Sequence, residues 1–188
     1  MKPKLVSISE EIVRWSFEIS VNQSNDWFIA FTNPTAGPWK KITAPDSEGK
    51  IGEIHRFEID ETRPDLILVN DKTKQVLIIE AKTTFNDLQK PAQLTKTSQL
   101  FENLTVKLRN ISNNNFWGSR SKYDYSLGLL WSSGDESKSQ VLEMCQEYLE
   151  NIKGLTKDII CIQGYVENEL LKSKVYKAIS GETLKFPN

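Results

Sequence analysis

Histidine and cysteine are almost missing from this chain: its 188 residues include one histidine, His55, and two cysteines, Cys145 and Cys161. A zinc site built from thiolates and imidazoles takes about four clustered ligands, so a structural zinc is excluded. A Ser-His-Asp triad could draw only on His55, and no nucleophile elbow is present to serve it. Cys145 and Cys161 fall inside apolar-periodic segments, which reads as two buried thiols and not as a bridge. Long hydrophobic runs are missing too. The longest apolar stretches, such as Leu66 to Val69 and Val76 to Ile79, are too short to span a membrane. Residues Met1 to Glu11 lack the apolar core and small-residue cleavage site of a secretory signal. A single domain over residues 1–188, in the cytoplasm and away from membranes, is the expectation. Carboxylates are left as the metal-ligating side chains.

Charge of one sign is also not in excess: 24 basic residues stand against 25 acidic ones. The distribution is uneven, however, because residues 65–122 carry nine basic and five acidic side chains. That surplus permits nucleic-acid contact without requiring it.

Ser7-Ile8-Ser9-Glu10 reads as a capping box ahead of a helix over about 8–20, with Ile8, Ile12, Trp15 and Ile19 on one face. Residues 22–50 hold Asn33-Pro34, Gly37-Pro38 and Pro45-Asp46, so they predict mostly loop around a short strand at Trp27 to Phe31. Ile51 to Ile59 alternates as a strand. Leu66 to Val69 and Val76 to Ile79 form a β-hairpin across the loop 71–74. Pro91 then opens a long amphipathic helix through Leu94, Phe101, Leu104, Leu108 and Ile111. A strand at Tyr123 to Trp131 follows, then a helix with the stripe Val141, Cys145, Tyr148 and Ile152, and strands near 158–166 and 173–179. The class is α/β.

Glu-x-Lys triplets arise by chance, and this chain has two in turn-like settings, Glu48-Gly49-Lys50 and Glu136-Ser137-Lys138. Glu80-Ala81-Lys82 differs because it ends an apolar strand, where Glu80 and Lys82 share the side of Val76 and Ile78. A four-residue hairpin loop pairs Asn70 with Gln75 and, carried along the ladder, sets Asp65 opposite Glu80. Two facing carboxylates repel unless a cation lies between them, and a hard divalent ion such as magnesium suits all-oxygen ligands. The competing structural reading is a salt-bridged patch at a strand end.

Arg63-Pro64-Asp65-Leu66-Ile67-Leu68-Val69 followed by Val76-Leu77-Ile78-Ile79-Glu80-Ala81-Lys82 resembles the signature of the PD-(D/E)XK nuclease superfamily, which includes type II restriction endonucleases, Holliday-junction resolvases and recombination exonucleases. The resemblance spans roughly residues 51–131. It implies a restriction-endonuclease-like core, a central mixed β-sheet flanked by helices in the order α-β-β-β-α-β. It further implies Asp65, Glu80 and the backbone carbonyl of Ala81 as ligands to magnesium, with manganese as a substitute, and Lys82 as the residue that orients or activates water. The implied reaction is hydrolysis of double-stranded DNA. One site cuts one strand, so a homodimer or a heterodimer with a partner subunit is expected. Structure-specific repair nucleases and non-catalytic binding modules of the same fold stay open as alternatives.

Further candidates are weaker. Glu11, on the first helix, and Glu53, on the strand 51–59, are candidates for an additional acid, although Glu58 on the opposite face competes with Glu53. His55 shares the parity of Glu53, but a lone histidine is more often structural. Gln93 is a candidate phosphate contact against the simpler reading of a solvated helix face. Asn114, Asn115, Arg120 and Lys122 lie in a loop that combines amides, aromatics and cations suited to DNA, or to an ordinary surface turn.

Overall fold

Asn70 closes the hairpin that the sequence predicts. Its Oδ1 accepts the backbone N–H groups of Lys72 (3.0 Å) and Thr73 (2.9 Å), and Lys74 takes a left-handed φ of 58°. A side chain that caps its own turn in this way makes the reversal local. The pairing then runs from Asn70↔Gln75 to Leu66↔Ile79.

The computed structural model describes residues 10–24, 26–32, 63–111, 115–132, 134–152 and 154–184, with the backbone alone for 10–13, 32 and 115. Helix α1 (Glu10–Asn22) leads into strand β1 (Trp27–Thr32), followed by the hairpin strands β2 (Leu66–Asn70) and β3 (Gln75–Thr84). A short turn of helix, α2 (Phe85–Leu88), and the long helix α3 (Pro91–Asn110) come next, then α4 (Asn115–Gly118), β4 (Asp124–Ser132), α5 (Lys138–Asn151), β5 (Ile159–Glu167), β6 (Leu170–Lys177) and β7 (Thr183–Leu184). The seven described strands form one mixed sheet in chain order. The pairs β3–β4 and β4–β5 are parallel and the other four are antiparallel.

Both parallel connections step in the same direction across the sheet, and right-handed crossovers then place α3 and α5 on the same face. Leu94, Phe101, Leu104 and Leu108 of α3 and Val141, Met144 and Tyr148 of α5 bury that face with Val76, Ile78, Leu127 and Leu129. The alternate residues Leu77, Ile79, Ala81 and Leu130 turn to the other face, which α1 covers with Phe17 and Val21. Burial on both faces is why β2 reads as a continuous apolar run and not an alternating one. Gly128 keeps β4 close to its neighbours: a Cβ there would lie 2.8 Å from Ile79 Cγ1. Cys145 and Cys161 are free, buried thiols 3.5 Å apart.

Several boundaries differ from the sequence expectation. The capping box at Ser7 and the strand at 51–59 lie outside the described residues, and the second described partner of β2, beside β3, is β1, the short strand expected at Trp27 to Phe31. Ser137, taken as turn-like, caps α5 by accepting from Gln140 N–H while the Gln140 side chain returns a bond to Ser137 N–H. Among the described residues no helix is long and apolar enough to cross a membrane.

Candidate active site

The β2–β3 ladder stops at Leu66↔Ile79, one residue short of the expected Asp65–Glu80 pair. Pro64 precedes Asp65 and has no amide hydrogen to extend a ladder. Asp65 N–H reaches back to the Ile79 carbonyl at 3.0 Å. Beyond the end of β2, Ala81, two residues past Ile79 on the same edge of β3, has no described strand beside it on that edge. The Asp65 side chain takes that role: its Oδ2 accepts the Ala81 N–H at 2.7 Å. Asp65 is thus brought to Glu80 by its side chain wrapping the strand edge and not by a ladder pair.

Glu80 shares the face of Val76 and Ile78, as the period of two requires, and so looks toward α3. Lys82 Nζ donates to Glu80 Oε1 at 2.7 Å and to the Ala81 carbonyl at 2.6 Å. Gln93, in the first turn of α3, donates through Nε2 to the same Oε1 at 2.8 Å and to Thr97 Oγ1 at 2.8 Å. Both donors converge on Oε1, so Glu80 Oε2 and Asp65 Oδ1 make no hydrogen bond with a described residue.

Glu80 is only 5% exposed and Asp65 8%. Burial, and then the charge of Asp65, push the Glu80 carboxyl above the ordinary carboxylate range, opposed by the charge and hydrogen bond of Lys82 and the charge of Lys96. Behind Gln93 lie the buried Thr97 and, on α5, the buried Tyr148, whose hydroxyl donates to the Leu88 carbonyl at 2.9 Å. Burial drives the Tyr148 hydroxyl well above its usual pKa, so it stays protonated.

Every group here that could hold a metal offers oxygen: the Asp65 and Glu80 carboxylates and the Ala81 carbonyl. The position between Glu80 and that carbonyl already takes a cation, the Lys82 ammonium. The donor set therefore fits a hard divalent ion that keeps several waters. Among the described residues no cluster of three His, Cys, Asp or Glu side chains supplies a larger set.

The other sequence candidates are not gathered at this place. Glu11 belongs to the first turn of α1, whose side chains are outside those described, and Glu53, His55 and Asn114 are outside the described residues altogether. Asn115 opens α4, with only its backbone described. Arg120 and Lys122 precede β4, whose first residue Asp124 pairs with Gln75. They therefore stand at the hairpin-turn end of the sheet, roughly 17 Å along β3 from Glu80 at about 3.3 Å per residue. Arg120 is also engaged there, by Asp71 Oδ1 at 2.8 Å from Nε and by the Phe116 carbonyl at 2.6 Å from Nη1. Gln93 is the reverse case, since the residue weighed as a solvated helix face is half-buried against Glu80. Thr97 and Tyr148 gave no signal in the sequence beyond helical spacing.

No protein-family model matches the chain, and neither a curated protein nor a solved structure is significantly similar to it.

Proposed function

We propose that the protein is a magnesium-dependent endonuclease that hydrolyses phosphodiester bonds of double-stranded DNA on a restriction-endonuclease-like core, acting in the cytoplasm. The observation that carries this reading is a buried pair of acids, Asp65 and Glu80, beside a strand-edge carbonyl and a lysine at the end of β3. Asp65, Glu80 and the Ala81 carbonyl would hold the ion. Bound there, magnesium or manganese supplies charge neutralisation at the scissile phosphate and acidifies water.

The side chains do the rest. Asp65 is fixed by the Ala81 N–H and Glu80 by Gln93, so neither acid has to search for its orientation. Lys82 brings an ammonium to the attacking water or the phosphate oxygens, where negative charge grows. One such site cuts one strand, so a homodimer or a heterodimer with a partner subunit completes the activity on a duplex. A type II restriction endonuclease, or its catalytic subunit, fits these requirements. A repair nuclease of the same fold, reading DNA structure instead of sequence, would share the chemistry, and discrete fragments from a plasmid digest separate the two.

The test is cleavage of one DNA substrate after chelation, with magnesium, manganese, calcium or zinc restored, alongside Asp65→Ala and Lys82→Ala. Magnesium and manganese are expected to support cleavage. Calcium prefers more ligands at longer distance and is expected to support DNA binding without cutting. Zinc is not required, since neither cysteine is at the site. Metal-free activity, or full activity in either variant, overturns the assignment. DNA binding that is indifferent to metal, with no cutting, would mark a non-catalytic module.

A further inference from the structure

Two of the three groups assigned to the ion are held by Lys82: its ammonium lies 2.7 Å from Glu80 Oε1 and 2.6 Å from the Ala81 carbonyl. Two cations cannot share such a position, because the space is that of one ion and their charges repel at close range. Two buried anions without any cation are equally unfavourable. We propose that Lys82 is the site's resident counter-cation, closing the acidic cradle while no divalent ion is bound, and that it must leave Glu80 and the Ala81 carbonyl for the ion to enter. This rests on the metal-centre reading above.

The geometry provides both halves of such an exchange. Gln93 holds Glu80 Oε1 independently of the lysine, so the carboxylate keeps its place when the ammonium goes. The Lys82 side chain is 21% exposed against 6% for that of Glu80, so its route out leads to solvent. Glu80 Oε2 and Asp65 Oδ1 are the oxygens from which an incoming ion can gain a first hold. The consequence is a competition: the fraction of protein with the lysine seated is closed to metal, and apparent affinity falls by that fraction. Loading of the ion also frees the ammonium toward the position a phosphate would occupy. DNA, by attracting the released ammonium, should then tighten metal binding.

The test is calorimetric titration of manganese into chelated, DNA-free protein, comparing wild type with Lys82→Met, Lys82→Gln, Lys96→Met and Glu80→Gln, each checked for its fold by circular dichroism. Lys96 is the control for charge alone, because Glu80 feels it without a contact between them. Both Lys82 variants are expected to bind manganese about ten-fold more tightly than wild type, and Lys96→Met within about two-fold of it. Glu80→Gln is expected to lose binding. Equal gains in the Lys82 and Lys96 variants, or no gain in the Lys82 variants, overturn the displacement while Glu80→Gln still supports the metal centre. Wild-type affinity in Glu80→Gln, or no binding by any variant, removes the metal centre and the inference with it.

Discussion

The hairpin of β2 and β3 carries a charged cluster at each end, and the two are built on opposite principles. At the turn, Asp71 receives a forked pair of bonds from Arg120 and a third from the Tyr123 hydroxyl at 2.9 Å, while the Arg120 guanidinium lies 4.1 Å from the centre of the Phe116 ring. Burial raises the Asp71 carboxyl, but the bonds from Arg120 and Tyr123 and the charges of Arg120 and Lys74 outweigh it and hold it below the ordinary range. At the other end the Lys82 ammonium pairs with Glu80 beside Asp65, and Glu80 is held above that range. The first cluster is complete in itself. The second leaves two buried acids beside one directly bonded ammonium, the feature on which the proposed metal site rests.

The contrast is broken most directly at Glu80. Glu80→Ala is expected to lower cleavage by about a thousand-fold or more, since it removes a ligand of the proposed catalytic ion. The same variant without metal is expected to melt at or above the wild-type temperature, because repulsion with Asp65 is relieved. A drop of several degrees would place Glu80 in a structural ion pair like that of Asp71. Arg120→Ala should do the reverse, costing about 2 kcal/mol in denaturant unfolding through lost stacking and unpaired Asp71, with cleavage at low temperature unchanged. Loss of cleavage in a folded Arg120→Ala would show that the turn end also touches the substrate.

Gln93→Ala sharpens the comparison further. It takes one charge-directed bond from Glu80 and is expected to reduce kcat about ten-fold with little change in melting temperature. Asp71→Asn has the smallest effect and the most specific sign. Asp71 titrates below its ordinary 3.8 when folded, so its contribution is present above that value and is lost as pH falls through the lower folded one. Because its side chain is 43% exposed, screening limits the contribution to at most about 1 kcal/mol. Acid unfolding followed by fluorescence should therefore be shallower in the variant, with the two proteins converging at low pH; parallel curves would remove Asp71 from the acid response.

The hairpin was legible because its information is local: the apolar period, the Asn70 turn and the four-residue loop set the register through Leu66↔Ile79. The same counting failed at Asp65, where Pro64 interrupts the ladder and the side chain substitutes for a backbone partner. Helical spacing placed Leu94 and Phe101 in the core, yet it could not give the rotation that aims Gln93 at Glu80, a contact 13 residues apart in sequence. Nor could it tell a free Arg120 from one clasped by Asp71, 49 residues away, because a cation among asparagines and aromatics reads the same in both cases. Trp27–Thr32 was visible as a short strand, but its place beside β2 depends on pairing across residues 33–62.

Sheet order that repeats chain order has a kinetic meaning. Each described strand pairs with the described strand before or after it in the sequence, so the pairings can form in the order of synthesis. A chain emerging from the ribosome can close β2 onto β3 across four residues, then add β4, β5 and β6 in turn. Asp65 and Glu80 are joined in the earliest of these steps, and the helices that screen them, α3 and α5, arrive later. In chain order, the residues that bring Asp65 and Glu80 together precede those of the covering helices.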